Sequence, residues 1–220
     1  MSSGATKIGD LDVLPGWDLG GLFPDMSSPL VAESLTGTKE DAKKLAEKYR
    51  GRVVSLEADE LFSLIKDYES IQDRLGRLSS FSQLIYAADM SDEKNGQFYQ
   101  TMQESCTEIS ILLLFVTLEI NRLDPGRVEL LLESPTLGAY SSWIRDCRIF
   151  GPYQLSDDVE AILLDKSVTG KVAWVRLFDE TISNLKFQHD GKSLNSSEAF
   201  DLLASSDSKI RSEIAREISK

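Results

Sequence analysis

Between residues 58 and 88, large apolar residues recur at alternating spacings of three and four: Leu61, Leu64, Tyr68, Ile71, Leu75, Leu78 and Ile85, with Ser82 in the one polar slot. On an α-helix this spacing draws a single lengthwise stripe, which has to be buried against another helix along most of its length. The natural partner is the next segment, 92–123, where Phe98, Met102, Ile109, Leu112 and Val116 keep a compatible register. The link at 89–93 is short and polar, so the two helices are expected to lie antiparallel. A chain built around such a pair is a helical bundle, and the remaining segments have to fit around it.

Most of them read as further helices. Thr38 with Asp41 three residues on suggests a capping box opening a helix whose inner face is Ala42, Leu45, Ala46 and Tyr49, with Gly51 as its stop. Asp124-Pro125 and Ser134-Pro135 each read as cap and first helical residue, the second helix carrying Tyr140, Trp143 and Ile144. Ser156 caps another, with Asp157 and Asp158 at the positive end of its dipole. Val172, Val175, Phe178, Ile182 and Leu185 form the inward face expected of the helix after the polar joint 167–170. Only at 186–194 does the period fall to two, around Asp190-Gly191, a dipeptide suited to a tight hairpin turn. Two short helices end the chain, at 196–204 and from Asp207 on, the last with an apolar stripe of Ile210, Ile214 and Ile218. The expected fold is mostly all-α, an antiparallel helical bundle with a long helix pair and one small β-hairpin near 186–194. Three regions are expected: an extended N-terminal arm (1–37) pinned by Leu14, Trp17, Leu22 and Phe23, a helical domain (38–185), and a hairpin with helices (186–220).

Composition narrows the function. With 24 basic against 36 acidic residues the net charge is −12, which disfavours binding to nucleic acid or to an anionic membrane. The most apolar run, 109–120, is too short to span a bilayer and is broken by Ser110, Thr117 and Glu119. The N-terminus has no basic region followed by an apolar core, so no signal peptide is expected. Two dispersed cysteines, Cys106 and Cys147, read as free thiols in a reducing, cytoplasmic compartment.

Catalytic patterns are missing. The single histidine, His189, cannot supply an HExxH zinc motif, and it falls on the expected hairpin turn, exposed and without a nucleophile. No phosphate-binding glycine loop occurs, and 167–171 (SVTGK) reads as a helix-start joint with Ser167 or Thr169 as cap. Asp157-Asp158 and Asp179-Glu180 are carboxylate pairs of the kind that solvated helix faces carry. The aromatics Trp143, Trp174, Phe150 and Tyr153 read as core. From the residues alone no catalytic and no metal-ligating residue is assigned.

Several stretches nevertheless carry a family pattern: GWDLGGLFPD at 16–25, GRLSSFSQLIYAADMSD at 76–92, LLLFVTLEINRLD at 112–124, YSSWIRDCRIFGPYQLSDDVEAIL at 140–163 and, most specific, SVTG-x-x-AW-x-RLFDE at 167–180. Together they resemble oligoendopeptidase F, a bacterial member of the thimet-oligopeptidase-like zinc metallopeptidases, in order from Leu14 onward. The resemblance implies a helical N-terminal region, with HExxH and a later glutamate holding zinc in a catalytic domain further along. It implies that the N-terminal helices wall one side of a deep channel that admits short peptides and excludes folded proteins. No family catalytic or metal residue maps onto a position here, so no cofactor is expected in this chain and zinc is expected in the full-length enzyme. The implied partners are the downstream catalytic domain and short peptides. Tyr140, Trp143 and Arg145 are candidates for the channel wall, with a core role the alternative for the aromatics. The uncapped last helix suggests a parent protein that continues past Lys220, and its isoleucine stripe is then expected to be partly exposed. A free-standing acidic helical interaction module, or a regulatory truncation product, is the alternative reading.

Overall fold

Three helices frame the molecule: α1 (Pro29–Tyr49), α2 (Ala58–Ala88) and α3 (Glu93–Leu113). They come from a computed structural model that describes residues 16–220. α2 packs along α3, and α1 lies against both. The repeating stripe of α2 is the reason: Leu61, Leu64, Ile71, Leu75, Leu78 and Ser82 are all buried, and Tyr68 and Ile85 pack at the margin. Met102, Ile109 and Val116 meet them from the facing side. Each fully buried leucine or isoleucine contributes about 1.5–3 kcal/mol, so this seam dominates the stability of the bundle. Ser82 is tolerated because its hydroxyl donates to the Ser79 carbonyl at 3.0 Å.

Two boundaries differ from expectation. Helix begins earlier than the expected Thr38, since α1 starts at Pro29 with the Ser28 hydroxyl accepting from the Leu30 amide. Thr38 is therefore a buried mid-helix residue and no cap; its hydroxyl donates to the Ser34 carbonyl one turn back, at 2.6 Å. Of the expected anchors, Phe23 is buried against Phe81 with ring centroids 5.2 Å apart, Leu22 packs at the core margin and Trp17 is exposed. Leu14 lies outside the described residues. Gly51 does end the turn after α1, with φ at +77° and its amide donating to Glu119.

The segment expected as one helix to 123 breaks at Leu114 into α3 and α4 (Phe115–Asn121). α5 (Pro125–Leu132) follows, its first turn capped by Asp124, which accepts from the Arg127 amide. The helix expected from Ser134-Pro135 is two pieces, α6 (Pro135–Gly138) and α7 (Ser141–Ile149). α8 (Asp157–Ser167) and α9 (Ala173–Asn184) then run on through a π-type turn, Val168–Val172, where Gly170 departs from helical angles. The joint is thus a bend in a continuing helix. Ser167 does not cap; its hydroxyl donates back to Leu164. Ser156 sits at the start of α8 without a side-chain cap bond.

The hairpin is as expected. β1 (Phe187–His189) pairs antiparallel with β2 (Lys192–Leu194), Phe187 opposite Leu194 and His189 opposite Lys192. Asp190 and Gly191 both take positive φ, 53° and 73°, which gives the hairpin turn the right twist. α10 (Ser196–Leu203) and α11 (Ser208–Ile218) close the chain. α11 turns its stripe inward onto β1 and α10, so Ile214 is 0% exposed and Ile210 and Ile218 are half-buried. The stripe is thus sealed at Ile214 and still partly exposed at Ile210 and Ile218.

Candidate functional site

The exposed apolar surface lies on α8 and α9 instead. On α9, Trp174 is 70% exposed and Phe178 64%, with Val175, Leu177 and Ile182 also exposed, and Leu185 follows just past its end. Ile162 and Leu163 continue the surface on α8. The face of α9 turned toward the body carries Ala173, Arg176, Asp179, Glu180 and Ser183, all half-buried. The helix is amphipathic, yet its polar and small residues meet the protein and its apolar residues meet the outside. Of the expected inward face, Val175, Phe178, Ile182 and Leu185 turn outward and only Val172 is half-buried. Trp174, Phe150 and Tyr153, read as core from the sequence, are exposed as well.

Local packing explains the inversion. Gly96 on α3 has no side chain, and a Cβ there would lie 3.7 Å from a Glu180 carboxylate oxygen and 4.0 Å from the Tyr86 ring. Glu180 therefore fits against α3, where Arg176 holds it at 3.4 Å. Beneath them Tyr86 and Tyr99 stack at 4.9 Å with rings 8° from parallel. Tyr86 is only 3% exposed, and its hydroxyl has no hydrogen-bond partner. Burial, then the charges of Glu180 and Asp179, push the Tyr86 phenol up to about 12. Burial, followed by Asp179, raises Tyr99 too. Between the start of α3 and α9 runs an open polar cleft of about 590 Å³, bordered by Gln97, Gln100, Arg176, Glu180 and Asn184.

The other singled-out residues have structural partners. His189 is on the strand and not the turn; its ring is half-buried, with Nδ1 3.8 Å from a carboxylate oxygen of Glu213 on α11. Asp157 pairs with Arg122, whose hydrogen bond holds the carboxyl below the usual range. Burial raises the thiols of Cys106 and Cys147, which makes both poor nucleophiles at neutral pH. Tyr140 donates to Glu69 at 2.7 Å and Trp143 packs on Tyr68, while Arg145 is exposed. The three candidates for a channel wall thus divide into two aromatics tied to α2 and one exposed arginine whose Nε donates to the Ser141 carbonyl. Among the described residues no group of three or more His, Cys, Asp or Glu side chains could hold a metal ion. The described residues therefore do not supply a zinc ligand set. Nor, among them, is any helix long and apolar enough to cross a membrane.

Against this geometry, the comparisons with known proteins agree with one another. The family model described as oligopeptidase F matches residues 119–187, from α4 to the first strand. That span includes the SVTG-to-FDE stretch and the outward apolar face. The crystal structure of oligoendopeptidase-F from Enterococcus faecium superposes with a TM-score of 0.75 at 16% identity, over 85% of this chain. At that identity the likeness is one of fold. The superposed part spans 37% of that chain, well under two thirds of its length. No curated protein sequence matches. The chain is thus similar, in sequence over 119–187 and in fold over most of its length, to an oligoendopeptidase F N-terminal region.

Proposed function

We propose that this chain is the non-catalytic N-terminal lobe of a zinc-dependent oligoendopeptidase, packing on a downstream catalytic domain and walling the channel that admits short peptides. The observation that carries the reading is the inverted helix α9. Five large apolar residues along it, and Leu185 just past its end, face outward, while its charged residues are packed against the lobe. A helix left in water would be expected to turn the other way, because burying apolar surface stabilises by about 25 cal/mol per Å². The covering partner is then a large, apolar protein surface, as a second lobe of the same enzyme supplies. Zinc, the general base and peptide-bond hydrolysis belong to that second lobe, in the cytoplasm; this lobe contributes enclosure and a limit on substrate size.

The test has two arms. The isolated chain, loaded with zinc, is expected to leave a fluorogenic peptide library intact. The same chain joined to the coding sequence after Lys220 is expected to cleave short unstructured peptides and spare folded proteins. Zinc-dependent hydrolysis by the isolated chain overturns the proposal. A stop codon directly after Lys220, with a stable monomer as the product, favours the acidic interaction module, for which the same outward apolar face would be the docking surface.

A further inference from the structure

The outward face of α9 is unusual in charge as well as in hydrophobicity. The chain has 36 acidic residues and a net charge of −12, yet the exposed side of α9 carries no charge at all. Beside its apolar residues it shows only Thr181 and Asn184. Both carboxylates of the helix, Asp179 and Glu180, are half-buried on the face turned to the lobe, where Arg176 holds Glu180.

Cations stand at the two ends of this uncharged face. Lys171 precedes α9 on the turn Val168–Val172, and Lys186 follows Leu185 just past its end; both are exposed. Among the described residues neither has a carboxylate partner, whereas Lys166 on α8 is paired with Asp165. At about 1.5 Å of rise per residue the two lysines are roughly 20 Å apart. An acidic chain that withdraws its carboxylates from one apolar face and leaves lysines at both ends has reversed its own field there. Groups that meet across an interface are of opposite sign, and like charges set against each other are penalised. Lysines without a partner in their own lobe are thus placed to meet carboxylates from outside it. The α8 part of the surface has the other sign, with Asp158 and Asp165 exposed, so the complementary acid belongs opposite α9. In the solved oligoendopeptidase-F more than half of the chain lies outside the superposed part, ample length to supply such a surface.

We infer that α9 is covered by an apolar patch of the downstream lobe rimmed by carboxylates, with which Lys171 and Lys186 pair. This rests on the lobe reading and adds the charge of the partner. The test uses the chain joined to the coding sequence after Lys220 and follows backbone hydrogen exchange in the peptides that cover α9. Lys171→Glu/Lys186→Glu is expected to speed that exchange about tenfold at low salt, the scale of two ion pairs lost and replaced by repulsion. At about 1 M salt, where the Debye length is about 3 Å, the difference is expected to vanish. Lys171→Gln/Lys186→Gln should show a smaller change of the same sign. The same changes in the isolated chain would trace the effect to this lobe and overturn the inference. Trp174→Ser/Phe178→Ser, in the joined protein, reads whether the face is covered at all. If it speeds exchange while the lysine reversal leaves exchange unchanged or slows it, the rim of the partner is not acidic; the inference falls and the lobe reading stands. If none of these variants alters exchange in α9, or a stop codon directly follows Lys220, both fall together. The competing occupant of an apolar face bracketed by lysines is an anionic membrane. Cosedimentation of the isolated chain with phosphatidylglycerol vesicles, lost on lysine reversal, would assign the face to lipid and overturn the inference.

Discussion

At the residue scale, the most telling group is Tyr86. Its hydroxyl is buried with no partner, so it contributes a desolvation penalty and no hydrogen bond. Tyr86→Phe is therefore expected to keep or slightly raise stability at pH 7, measured by urea unfolding, where most core truncations lower it. The pH dependence has a definite sign. A phenol raised from 10.0 to about 12 stays protonated in the folded state after the unfolded chain has lost its proton. Stability is then fully present below pH 10 and falls as the pH climbs toward 12. The fall should be shallower in Tyr86→Phe than in the native chain; identical alkaline slopes would show that the buried phenol is not coupled to folding. Arg148 makes the opposite case. Its guanidinium serves the Ile120 and Leu123 carbonyls at the end of α4. Arg148→Met should cost about 1–3 kcal/mol, because backbone acceptors are then left without donors.

At the element scale, the two amphipathic helices α2 and α9 separate what the sequence tells from what it does not. The α2 seam was readable because its partner lies in the same chain, one short link away; periodicity then fixes both the helix and its inner face. α9 has an equally clear stripe, but periodicity says only that one face is apolar. It does not say whether the covering surface belongs to this chain. Here Gly96 and the two stacked tyrosines favour the polar face, and the reading inverted. The same limit applies to α11, whose stripe found a partner in β1, and to Thr38, whose hydroxyl has a mid-helix use that mimics a cap. His189 was expected on the turn but lies on β1, since the turn takes only Asp190 and Gly191. The contrast between helices is measurable. Leu64→Ala, in the seam, should destabilise by about 2–5 kcal/mol. Phe178→Ser, on the outward face of α9, should change stability by less than about 0.5 kcal/mol, the range of surface substitutions. Comparable losses for both would mean that α9 buries its apolar face within the lobe.

At the scale of the whole molecule, a net charge of −12 and an uncovered apolar face oppose each other. The charge keeps copies apart, and the face on α8 and α9 draws them together once they touch. Which effect wins depends on ionic strength, because the Debye length shrinks from about 30 Å at 0.01 M salt to about 10 Å at 0.1 M and 3 Å at 1 M. At low salt, repulsion between two such chains reaches across the whole contact, and the isolated chain should sediment as a monomer. At high salt the repulsion is screened while apolar burial persists, so self-association should rise steeply. A Trp174→Ser/Phe178→Ser double variant should largely lose this salt-driven association without losing its fold, which circular dichroism would confirm. Sedimentation velocity over a salt series checks it. Association that ignores salt, or that survives the double variant unchanged, would mean that the outward face of α9 is not the sticky surface. The lobe would then have to meet its partner elsewhere, and the observation that carries the proposed function would lose its force.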